Sequence, residues 1–91
     1  MTSHAERVEL DPECPARGVR EAAEKVKGGG EVVLEFGGVL RMDAAAAKAL
    51  EELAGVAEGC EGRIVLRGVK IGIYRVLKQL RLERRVTIVC E

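Results

Sequence analysis

Three short runs of β-branched and aliphatic residues, Val32-Val33-Leu34, Ile64-Val65-Leu66 and Val86-Thr87-Ile88-Val89, are separated by stretches whose apolar residues recur every three or four positions. This alternation of periods is the tightest constraint on the fold. Strands that alternate with helices are joined by right-handed crossovers and therefore lie mainly parallel. A weaker strand precedes them at Arg7 to Asp11, where Val8 and Leu10 alternate with charged residues, as at a half-exposed sheet edge. The expectation is an α/β fold: a four-stranded, mostly parallel sheet with helices packed on it. Val32-Val33-Leu34, bounded by glycines, reads as a central strand buried on both faces.

Punctuation fixes the helices. Asp11, Pro12 and Pro15 mark a turn into a first helix, whose apolar stripe is Ala16, Val19, Ala23 and Val26 and whose end is Gly28-Gly29-Gly30. Asp43 is an N-cap candidate before Ala44-Ala45-Ala46-Ala47, and helix two continues through Leu50, Leu53, Ala54 and Ala57 to about Glu58. A third helical period runs through Ile73, Val76, Leu77 and Leu80.

Ninety-one residues suffice for one domain spanning 1–91, with residues 1–6 expected to be disordered. Phe36 and Tyr74 are the only aromatics, so Val, Leu, Ile and Ala must build the core. The chain has no Asn and a single Gln, a balance found in heat-adapted proteins and in products of GC-rich genomes. The N-terminus lacks the apolar run of a signal peptide, and no stretch approaches the ~18 apolar residues of a membrane span, which points to the cytoplasm. Cys14, Cys60 and Cys90 have neither Cys-x-x-Cys spacing nor a nearby second His, and read as ordinary reduced thiols rather than metal ligands.

Catalysis finds little support. Neither Gly28-Gly29-Gly30 nor Gly37-Gly38 belongs to a phosphate-binding glycine pattern that opens a helix after a strand, so no nucleotide cofactor is expected. The only Ser and His, Ser3 and His4, sit at the terminus, and Glu51 and Glu52 fall on the solvated side of helix two. A non-enzymatic role follows.

The informative stretch is Val33-Leu34-Glu35-Phe36-Gly37-Gly38-Val39-Leu40-Arg41-Met42-Asp43: a strand, a tight turn, a short apolar loop and a capped helix. It resembles the core motif of the anti-sigma-factor-antagonist (STAS) domains, Val-Leu-Asp-Leu-Ser-Gly-Val-x-x-Ile-Asp followed by Ser-Ser-Gly-Leu. Arg63 to Val69 looks like that family's next strand, and Ile73 to Ile88 fits its helix, turn and final strand. Arg81 stands where a glycine commonly follows the third helix, the N-terminal strand pair is reduced, and the family's last helix has no counterpart before Glu91.

The resemblance implies a regulatory, protein-binding module that acts on transcription through a kinase-like anti-sigma factor. It also implies a phosphorylated serine in the first turn of helix two, but that position is Ala45, flanked by Ala44 and Ala46, and alanine has no oxygen to phosphorylate. The expected docking surface is therefore constitutive, built from Gly37, Gly38, Arg41, Asp43, Ala44, Ala45, Ala46 and Lys48. The plainer reading makes Asp43 only a cap and the alanines only helix formers. Some STAS modules instead serve membrane transporters, including lipid-transport ABC systems, as accessory subunits without phosphorylation.

A further alternative comes from charge. The fifteen basic and fifteen acidic residues cancel, yet Arg63 to Glu91 carries eight basic and two acidic residues, with Lys70, Arg75, Lys78, Arg81, Arg84 and Arg85 on or beside helix three. These could meet nucleic acid or an anionic surface. The lack of stacking aromatics and the zero net charge argue against it, and a solvated helix face is the plainer account. The short sheet edges suit a homodimer. Incubation with a kinase-like anti-sigma factor and ATP is expected to leave the mass unchanged; an added phosphate on helix two would break the register given above.

Overall fold

The alternation read from the sequence is realised strand by strand. The computed structural model describes residues 5–90, in the order β1 (Ala5–Glu9), α1 (Pro15–Val26), β2 (Glu31–Glu35), α2 (Ala44–Gly59), β3 (Arg63–Val69), α3 (Ile71–Gln79), a 3-10 turn (Leu82–Arg84) and β4 (Thr87–Cys90). The sheet order is β1-β2-β3-β4 and every neighbouring pair is parallel. β1 begins at Ala5, so Ala5 and Glu6 are strand residues rather than part of a disordered leader; residues 1–4 of that expected leader lie outside the described residues. Asp11, expected to end this strand, instead forms the following turn, where its Oδ1 accepts from the Glu13 N–H at 2.9 Å.

Each crossover advances one strand in the same direction, so right-handed connections put all three helices on one face. Burial agrees. Val8, Leu10, Val32, Leu34, Ile64 and Leu66 point into one hydrophobic cluster with Val19, Ala22 and Val26 of α1 and Leu50, Leu53 and Ala57 of α2. The first-helix stripe runs through Ala22 rather than Ala23, which is only half-buried.

The opposite face is open, which corrects the expectation for Val32-Val33-Leu34: Val33 is only half-buried, as is its β3 neighbour Val65. Charges interleave across this face. Glu35 lies between Arg7 Nε at 3.3 Å and Arg67 Nη1 at 3.6 Å, and Arg63 reaches Glu31 at 4.0 Å. Cross-strand pairs of opposite sign let a parallel sheet present one face to water.

Local backbone devices close the elements. Pro15 occupies the first turn of α1, where its missing N–H leaves nothing unpaired. At the end of that helix Gly29 takes φ +82°, and its N–H bonds the Val26 carbonyl at 2.8 Å. Gly68, at φ +70°, sits where the β3–β4 register shifts, and the shift turns Val69 inward, to full burial. β3 therefore runs past the expected end at Arg67.

The structure also explains the departure at the end of the third helix. Arg81 adopts φ 60° and ψ 25°, the left-handed conformation that glycine takes without penalty. Glu61, after α2, has φ 57°. Replacing Arg81 with glycine is expected to raise unfolding stability by about 0.5–1 kcal/mol in a denaturant titration. A loss of stability would mean that the Arg81 side chain contributes more to the fold than its backbone costs.

Candidate functional site

In a parallel sheet the strands deliver their following loops to one end, and the loops there carry whatever binding surface a rigid scaffold offers. The loops after β1, β2 and β3 converge in this way. Phe36 follows β2 with its ring buried, and its N–H bonds the Arg67 carbonyl at 2.8 Å. Its own carbonyl accepts from the Val39 N–H at 2.9 Å, closing a turn over Gly37-Gly38. This turn is braced from the neighbouring strand. A Cβ on Gly68 would lie 3.2 Å from the Gly37 nitrogen, and Lys70 Nζ donates to the Gly37 carbonyl at 2.8 Å. On the other flank Gly38 lies against Pro12, at a cleft of about 370 Å³ lined by Glu9, Leu10, Asp11, Pro12 and Gly38.

Beyond the turn, side chains alternate between anchor and surface. Val39 is fully buried, Leu40 is 77% exposed, Arg41 is exposed and Met42 is half-buried. Asp43 then caps α2 as expected: it has extended backbone, and its Oδ1 accepts from the Ala46 N–H at 2.8 Å. Ala44, Ala45 and Lys48 are exposed.

Seven of the eight expected surface residues therefore gather on one solvent-facing segment: Gly37, Gly38, Arg41, Asp43, Ala44, Ala45 and Lys48. Ala46 is the exception. It is 1% exposed and belongs to the core, so its side chain is not part of any docking surface. Helical geometry gives the reason: Ala46 shares an inward face with Ala49, Leu50 and Leu53, while Ala44 and Ala45 precede it on the outer face. The sequence marks Leu40 only as part of an apolar loop; in the structure Val39 beside it turns inward and Leu40 faces solvent. Ile71, in the first turn of α3, is 67% exposed.

The arrangement offers an exposed, braced loop with an apolar contact at Leu40. All three crossovers lie on one side, so the sheet lacks the reversal of strand order that opens a nucleotide crevice in doubly wound folds. Among the described residues, no group of three or more His, Cys, Asp and Glu side chains is placed to hold a metal. No helix among them is long and apolar enough to cross a membrane.

An all-parallel four-stranded sheet, a buried aromatic before a tight turn and an Asp-capped helix after it define a STAS-like α/β fold. Among solved structures, the chain is similar to a protein from Thermotoga maritima described as a candidate anti-sigma factor antagonist. The TM-score is 0.67 and the identity 16%, and the match covers 100% of this chain and 77% of that one. At that identity the likeness is one of fold. No family model matches the chain, and no curated protein matches it in sequence.

The cap carries a measurable part of this geometry. Asp43→Ala is expected to cost about 0.5–2 kcal/mol in denaturant unfolding, because the Ala46 N–H loses its acceptor at the start of α2. Asp43→Asn, which keeps an acceptor, is expected to recover most of it.

Proposed function

We propose that this protein is a non-enzymatic regulatory module of the anti-sigma-factor-antagonist type, acting in the cytoplasm by docking a protein partner through residues 36–48. The observation that carries the reading is Leu40, 77% exposed on a turn held from three sides. An exposed leucine on a braced loop, flanked by two small exposed alanines and by charges of both signs, has the make-up of an interface centre with a polar rim. Ala44 and Ala45 let a partner backbone approach the start of α2 closely, and the absence of a hydroxyl leaves the surface permanently competent.

The partner class that fits this fold best is a kinase-like anti-sigma factor, which would make the module a regulator of transcription. A transporter ATPase is the second class to test, since it too would use an unphosphorylated surface. The basic helix as a face for nucleic acid draws no support from this end of the molecule, where Arg41, Lys48 and Lys70 stand among Glu9, Asp11 and Asp43.

Leu40→Asp and Ala45→Glu test the reading together, by titration against a candidate partner of either class. Both positions are exposed, and a glutamate in a first helical turn suits the helix dipole, so stability should change by no more than about 0.5 kcal/mol. Each variant is expected to weaken the complex at least about a hundredfold, as at interface hot spots. Unchanged affinity in both would place the docking surface elsewhere.

A further inference from the structure

At the opposite end of the sheet, α3 runs out into Arg81 and the 3-10 turn before β4, and the chain there makes a cavity of about 390 Å³ lined by Lys78, Arg81, Glu83 and Arg84. We propose that this cavity is a binding site for a small oligophosphate anion, held by Lys78, Arg81 and Arg84. None of these three cations has an ion pair among the described residues, a condition shared by Arg17, Arg20, Arg41, Lys48 and Arg75; what sets the three apart is that they line one concavity.

The adjoining cavity provides an internal comparison. It is lined by Arg63, Arg84 and Arg85, but Arg63 is paired with Glu31, and Arg85 grips Glu58 through two bonds of 2.8 and 3.0 Å. Those bonds hold the Glu58 carboxyl below the usual carboxylate range. In the first cavity the one acid, Glu83, accepts a bond from the Tyr74 hydroxyl at 3.2 Å, which raises the Tyr74 pKa, and three cations are set against that single carboxylate.

Cations at the end of α3 complement the helix dipole, which accounts for Lys78 or Arg81 singly. It does not account for three such residues lining one concavity beside a single carboxylate, where each cation adds to the repulsion felt by the others. The left-handed backbone at Arg81 is not itself an argument, because Glu61 shares it.

The class of ligand follows from what else is present. A linear run of two or three phosphates matches three cations around one hollow and needs no stacking partner, and the nearest aromatic, Tyr74, already has its hydroxyl committed. A duplex would call for a stripe of contacts along an extended face rather than one recess interrupted by Glu83. The phosphate chain could be inorganic or the tail of a nucleotide.

The test uses the intact protein, sodium triphosphate as probe, and calorimetry at fixed ionic strength. Triphosphate is expected to bind the wild type, to bind at least about tenfold more weakly to Lys78→Gln and to Arg81→Gly, and to be outcompeted by neither sulfate nor chloride at equal ionic strength. Arg81→Gly separates site from fold, since it should raise the melting temperature while lowering the affinity. ATP binding as tightly as triphosphate would assign the contact to phosphates from either source. Equal triphosphate affinity in all three proteins, no binding to the wild type, or measurable binding of adenosine alone would overturn the proposal. So would tighter binding of an oligonucleotide duplex that triphosphate does not displace.

Discussion

Everything in this molecule follows from the helices packing on one side of a parallel sheet. Four strands in sequential order leave a single interior, between the sheet and its helices, and every fully buried large side chain lies there. Its filling is aliphatic, with Leu34, Leu50, Leu53, Ile64 and Leu66 all fully buried. α1 and α2 pack closely on each other across it, and Ala16, Ala22, Ala46, Ala49, Ala54 and Ala57 keep that approach short. Phe36 is the one large ring admitted, and it sits under the turn that leads to the candidate docking segment.

The same asymmetry dictates the other face. Parallel sheets are ordinarily covered on both sides, so a bare one needs polar side chains that do not invite a second layer. Arg7, Glu35 and Arg67 answer this by forming one ionic row across three strands. Such exposed pairs contribute little stability individually. Their effect is on specificity, since an uncharged open face would be a site for collapse with other chains.

Much of this was legible in the sequence, for identifiable reasons. The order of elements followed from period and punctuation, the Asp43 cap from its place before four alanines, and the resemblance to STAS domains from the run between Val33 and Asp43. Four features were hidden. Burial of only one face escaped because Val32-Val33-Leu34 has no polar residue inside it, and periodicity cannot tell a half-covered run from a fully covered one. The inward set of Ala46 escaped because four consecutive alanines carry no phase. The bulge at Gly68 and the 3-10 turn at Leu82–Arg84 depend on backbone angles that side-chain pattern does not encode.

The two ends of the sheet are built on different principles, and this bears on how each could act. At the carboxyl end the turn over Gly37 is bound to β2 through Phe36, to β3 through the approach of Gly68, and to the start of α3 through Lys70; Asp43 fixes the following helix. A surface ordered in advance surrenders little conformational entropy when a partner arrives, so even a small apolar centre such as Leu40 can count toward affinity. At the amino end the argument runs through charge instead. Lys78, Arg81 and Arg84 are long, exposed side chains around one hollow at a short helical exit, and their summed field is what would hold an anion there. On the reading proposed above, the first end would recognise a folded surface and the second would capture a compact anion. The sheet and α3 separate the two ends, so the two proposed contacts draw on different residues.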